Sequence, residues 1–116
     1  MNQISDKRKH TRKPYVEEIT AHINSNEFDE SLLSKTILCE TLDISEAGIQ
    51  LKTADQLTVG LELELWIKIE NRPGKFLLAG DITWVNILDK PTSYFVGVAL
   101  KNKPHTGFLQ WKALFN

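Results

Sequence analysis

Residues 61–70 constrain the fold of this chain more than any other stretch. Leu61, Leu63, Leu65, Ile67 and Ile69 alternate with Glu62, Glu64, Trp66, Lys68 and Glu70. A period of two held this long puts one face in a core and the other in water, which is a half-buried β-strand. Left at the edge of an open sheet, such a strand would present its backbone to any passing chain. Closure of the sheet on itself would remove that edge.

The rest of the chain supplies the other strands. Tyr15, Ile19, Ala21 and Ile23 share one parity, opposite Glu18, Thr20 and His22, and predict a half-buried first strand. Asn24–Ser34 is polar apart from Phe28 and the Leu32-Leu33 pair and reads as a long hairpin loop. Lys35–Leu42 and Gly48–Thr53 predict a second hairpin, and Ala54–Gly60 a turn closed by glycine. After the turn Asn71-Arg72-Pro73-Gly74, Lys75–Leu88 reads as a long strand in which Gly80 marks a bend or bulge. Asp89–Ser93 is a loop, and Tyr94–Lys101 is a last strand. Phe108, Trp111 and Phe115, spaced by three and four with Leu114 beside them, form the apolar stripe of a helix over His105–Phe115. Six strands followed by one helix predict an all-β fold, a closed antiparallel barrel or a sandwich.

A chain of 116 residues, 41% hydrophobic, suits one domain with a real core. The net charge of −1 argues against a general polyanion binder. That total hides an asymmetry. Lys7, Arg8, Lys9, Arg12 and Lys13 against Asp6 give residues 1–13 a charge of +4, so the remainder carries −5. We expect 1–13 to be a mobile basic arm and 14–116 the folded domain, the arm meeting an anion or the acidic body itself. Cys39 is the single cysteine, which excludes an intrachain disulfide and a cysteine-based zinc site; its apolar neighbours predict a buried thiol. With neither a membrane-span pattern nor a signal-peptide pattern, the expectation is a soluble cytoplasmic protein without membrane insertion.

Catalysis finds no support in the residues. His10, His22 and His105 lack metal-ligand spacing, and no Ser-His-acid order occurs. Glu62 and Glu64, about 7 Å apart along one strand face, lack the desolvated cleft that splits the pKa values of an acid/base pair. No catalytic residue, metal or cofactor is expected.

Two short segments carry binding chemistry instead. Arg8 and Arg12 are two of three arginines, four residues apart. A guanidinium pairs bidentately with phosphate or with the O6/N7 edge of guanine, and stacks on a purine face. Asp43-Ile44-Ser45-Glu46-Ala47-Gly48, between two strands, offers a carboxylate acceptor, a hydroxyl and a glycine that permits positive φ and close approach.

Arg8-Lys9-His10-Thr11-Arg12 fits R-x-x-x-R, and Asp43–Gly48 fits D-x-S-x-x-G. Together, and with the strands around Gly80-Asp81-Ile82-Thr83-Trp84 and Phe95-Val96-Gly97-Val98, they resemble the PilZ domain family over roughly residues 7–101. The resemblance implies a six-stranded antiparallel barrel that binds the bacterial second messenger cyclic di-GMP. Arg8 and Arg12 would grip phosphate and guanine, while Asp43, Ser45 and Gly48 would meet a guanine on the barrel surface. Lys7, just before the first arginine, is a weaker candidate bearing on whether one or two ligand molecules stack. Trp84 is another. It shares parity with Phe76, Leu78, Gly80 and Ile82, which favours the core; the alternative is a ring presented to a ligand base.

The expected function is a stand-alone cyclic di-GMP receptor or adaptor in motility, biofilm, polysaccharide or pilus control. Ligand would order the arm against the turn and change the surface offered to a downstream protein partner. The alternative is a barrel of the same type acting as a protein-interaction module with weak or no nucleotide binding. A single-stranded nucleic-acid binder is disfavoured, because such barrels carry their charge in a groove on the sheet, whereas here the body is acidic.

Overall fold

The computed structural model describes residues 14–25, 36–87 and 93–115, the side chains of 24 and 25 excepted. Lys7, Arg8, Arg12 and the arm as a whole lie outside the described residues, as do most of the Asn24–Ser34 loop and residues 88–92. Six antiparallel strands form a closed barrel: β1 (Val16–Ser25), β2 (Thr36–Ile44), β3 (Gly48–Thr53), β4 (Glu62–Ile69), β5 (Phe76–Ile87) and β6 (Tyr94–Lys101). Around the barrel the order is β1-β2-β3-β6-β5-β4, and β4 pairs back onto β1. A short helix, α1 (Phe108–Ala113), follows. The barrel alternative is the one realised.

Burial follows the alternation that predicted it. Leu61, Leu63, Leu65, Ile67 and Ile69 are all buried, as are Ala21, Ile23, Ile37, Ile49, Leu51, Leu78, Ile82, Val96 and Val98. The strand of residues 61–70 gains a neighbour on each side, β1 through Ala21↔Leu65 and β5 through Leu65↔Leu78. At one end of the barrel Glu62 takes Lys101 (2.8 Å) and Lys103 (3.0 Å), and Lys101 also reaches Asp81 (3.0 Å). These hydrogen bonds, to Glu62 first and then to Asp81, raise the Lys101 pKa above its usual value.

Departures from simple parity have one cause. Register shifts fall between Val16 and Glu18 and between Ile23 and Ser25 on β1, between Thr41 and Asp43 on β2, and between Ile82 and Trp84 on β5. Each places one extra residue in a strand, and every residue beyond it changes face. On β1, Val16 packs against the core and Tyr15 is 65% exposed, against expectation. On β5 the irregularity sits at Thr83 and not at Gly80. Gly80 is instead a point of close strand contact, where an added Cβ would lie 2.6 Å from the Ala99 carbonyl oxygen.

The helix is shorter than its stripe predicted. His105 takes φ +68°, outside the helical region, and the Thr106 hydroxyl donates to the Lys103 carbonyl, so a turn precedes the helix. Gly107 starts it, held by a bond from its N–H to the Leu77 carbonyl of β5 (2.8 Å). Leu114 and Phe115 close it with bonds three residues back, the tightened last turn common at helix ends. Trp111 is completely buried, edge-on to Phe76 at 5.9 Å and tilted against Phe115 at 5.3 Å.

Candidate functional site

Asp43 and Ile44 are the last residues of β2, so the turn itself is shorter than the six-residue motif. The bulge explains why Asp43 faces outward. Ile37, Cys39 and Thr41 follow the inward parity, which would carry residue 43 toward the core. The extra residue Leu42 reverses that: Asp43 is exposed and Ile44 is 6% exposed, anchored in the core. Ser45, one residue past the buried Ile44, emerges on the outside again. A spacing of two around an anchored isoleucine thus sets carboxylate and hydroxyl on one surface.

The turn is tightly bonded. Ser45 N–H donates to the Gly48 carbonyl (2.8 Å), and the Ser45 hydroxyl donates to that carbonyl (3.2 Å) and accepts from Gly48 N–H (3.1 Å). One acceptor lone pair of the hydroxyl is left for a ligand donor. Gly48 does not use positive φ. Space beside it is tight: a Cβ there would lie 3.0 Å from the Val98 carbonyl oxygen of β6. Leu100 N–H reaches across from β6 to the Ala47 carbonyl (2.9 Å), and the Trp111 indole N–H donates to the Ser45 carbonyl from below (3.0 Å).

Trp84 is 36% exposed on the outside of the barrel, which corrects the expectation that it belongs to the core. The extra residue Thr83 turns it outward, just as Leu42 turns Asp43. Its indole lies on Gly97, where any added Cβ would be 2.2 Å from Nε1 and Cε2. The pairings Asp43↔Gln50, Gln50↔Gly97 and Gly97↔Trp84 form one continuous row across β2, β3, β6 and β5. Gln50 was not anticipated as a site residue. Its outward parity between Ile49 and Leu51 was legible, but only its place opposite Asp43 makes it part of a site.

This row and the turn line a depression of about 290 Å³ that includes Asp43, Ser45, Gly48, Gln50, Trp84 and Gly97. It offers a carboxylate, a hydroxyl, a carboxamide and an indole that itself covers the buried Gly97. Those groups suit a flat, hydrogen-bonding heterocycle, which an aromatic face can stack and a carboxylate can bind by its N–H edge. A larger groove of about 540 Å³ between β1 and β2, lined by Tyr15, Glu17, Cys39 and Glu40 among others, shares no residue with the motif.

A family model described as the PilZ domain matches residues 6–107. The chain belongs to the PilZ domain family. That family consists of non-enzymatic receptor modules for cyclic di-GMP, and the matched span takes in both Arg8–Arg12 and Asp43–Gly48. A search of curated proteins found none that matches the chain. The six-stranded barrel carries Asp43, Ser45, Gln50 and Trp84 exposed on its outside.

Among the described residues no group of histidine, cysteine, aspartate or glutamate is arranged to hold a metal ion, and no helix is long and apolar enough to cross a membrane. Cys39 is half-buried, less enclosed than expected. Desolvation, aided by the nearby charge of Asp55, pushes its thiol up to about 11.

Proposed function

We propose that this PilZ domain binds cyclic di-GMP on the outer surface of its barrel and acts as a ligand-ordered adaptor. One guanine lies against the Trp84 indole, which rests on Gly97, its N1–H and N2–H₂ edge directed to Asp43, with Ser45 and Gln50 completing the polar rim. Arg8 and Arg12 grip the phosphates and the guanine from the N-terminal side, and Lys7 adds charge there. The single observation that carries the reading is the row Asp43–Gln50–Gly97–Trp84, in which two separate bulges aim carboxylate and indole at one depression.

Ligand orders the arm against the turn. Ordering ~6–8 arm residues costs about 1–2 kcal/mol each. Charge-assisted hydrogen bonds return about 1.5–3 kcal/mol each, so several are needed and the loss of either arginine is decisive. The ordered arm changes the surface seen by a cytoplasmic protein partner, through which the domain acts in motility, biofilm, polysaccharide or pilus control.

Titration calorimetry with cyclic di-GMP in low salt tests this reading. Saturable heat at micromolar ligand is expected for the wild type, and none for Arg8→Ala or Arg12→Ala. No heat from the wild type at tens of micromolar ligand would remove the nucleotide reading and leave that of a protein-interaction module.

A further inference from the structure

Trp111 is the largest fully buried side chain, yet it carries a polar atom that must be satisfied. Its indole N–H donates to the Ser45 carbonyl at 3.0 Å, across 66 residues of chain. Among the described residues no buried side-chain polar atom lacks a partner. The ring is clamped by Phe76 of β5 and by Phe115, so the donor has a defined direction. Ser45 is the central residue of the D-x-S-x-x-G motif, and its own N–H and hydroxyl are both tied to Gly48. The turn is therefore fixed from within by Gly48, from β6 by Leu100, and from below by one indole.

We propose that Trp111 is a positioning residue of the ligand site, and that through it α1 and the motif turn behave as a coupled unit. The indole touches no ligand. It holds the Ser45 carbonyl, and with it the orientation of the exposed Ser45 hydroxyl and Asp43 carboxylate on either side of the buried Ile44. Coupling of this kind is reciprocal: whatever ligand does to the turn is felt at α1, and whatever engages α1 changes ligand affinity by the same factor. The affinity part of this proposal rests on the cyclic di-GMP reading; the geometric part, that the indole sets the mobility of the turn, does not.

The experiment uses the full chain with cyclic di-GMP as probe and compares Trp111→Phe with Phe115→Leu. The first removes the donor and some ring; the second thins the same cluster and leaves the donor in place. A third form, with Trp111 replaced by 3-benzothienylalanine, keeps the indole shape with sulfur where the N–H was, and covers the case in which Trp111→Phe does not fold. Two readouts are taken, the dissociation constant and hydrogen exchange of the Ser45, Gly48 and Leu100 amides. Both forms lacking the donor should bind about three- to tenfold more weakly, the value of one neutral hydrogen bond. They should also exchange those three amides faster than Phe115→Leu does at equal loss of melting temperature. In the wild type, saturating ligand should slow exchange of the Trp111 indole proton. Unchanged affinity and unchanged turn exchange in the donor-less forms would overturn the proposal, as would Phe115→Leu matching them in both. A wild type that binds no ligand defeats the nucleotide reading alone, and turn exchange then decides the role of Trp111.

Discussion

Asp43, Gln50, Gly97 and Trp84 are aligned by backbone register, and each has a separate physical task that substitution can isolate. Gly97 must lack a side chain because the indole occupies its Cβ position. Gly97→Ala is expected to force the ring aside, costing about 1–3 kcal/mol by overpacking, seen as a lower melting temperature and altered tryptophan fluorescence. Asp43→Ala and Gln50→Ala should weaken ligand binding, and Arg8→Ala or Arg12→Ala should abolish it without changing the melting of the ligand-free protein. Cys39 makes a prediction of a different kind. With its thiol pushed up to about 11 from 9.0, alkylation at pH 8 should run much slower than for an exposed thiol. The unfolded chain loses this proton before the native one does. The contribution of Cys39 to stability is thus whole below pH 9 and is lost as pH rises from there toward 11. Residue chemistry was largely legible beforehand: Asp43 and Ser45 were placed outward by their motif. Trp84 was not, because its face depends on a bulge that shows only once β5 is paired with β6.

Strands with strict alternation and a partner on each side were readable from local pattern alone. β3 and β6 run as expected, and β4 differs from its sequence prediction by one residue at each end. Bulged strands were not readable, since a one-residue slip leaves the composition unchanged while reversing which face each later residue shows. Parity alone turns Tyr15 inward and favours the core over the outward alternative for Trp84, for that reason, whereas both are exposed. The helix falls short of the predicted span at both ends: His105–Gly107 precede the apolar stripe and form a turn, while Leu114 and Phe115 continue the stripe only as a tightened end. Alternation on β4 also predicts an asymmetry of stability. Leu65→Ala should cost about 2–5 kcal/mol by transfer and cavity terms. Trp66→Ala, on the exposed face of the same strand, should cost under about 1 kcal/mol. Denaturant titration of the two variants separates them, and equal losses would mean that the outer face of β4 is covered.

At the scale of the whole molecule, the barrel places three loosely related parts of the chain in one place. β2 and its turn supply carboxylate and hydroxyl, β5 supplies the indole over β6, and α1 braces the turn from the inside. The acidic body and the basic segment 1–13 divide the charge, so binding of a dianionic ligand should weaken as salt rises and screens the arm. The central claim is that cyclic di-GMP occupies the outer row Asp43–Gln50–Gly97–Trp84. Its most direct test is a titration followed by amide and indole nuclear magnetic resonance. Saturable shifts concentrated at residues 43–50, at the Trp84 indole and at Gly97, with Thr20 and Trp66 on the β1–β4 face unmoved, are the expected result. Shifts confined to the β1–β4 face, or none at tens of micromolar ligand, would contradict it.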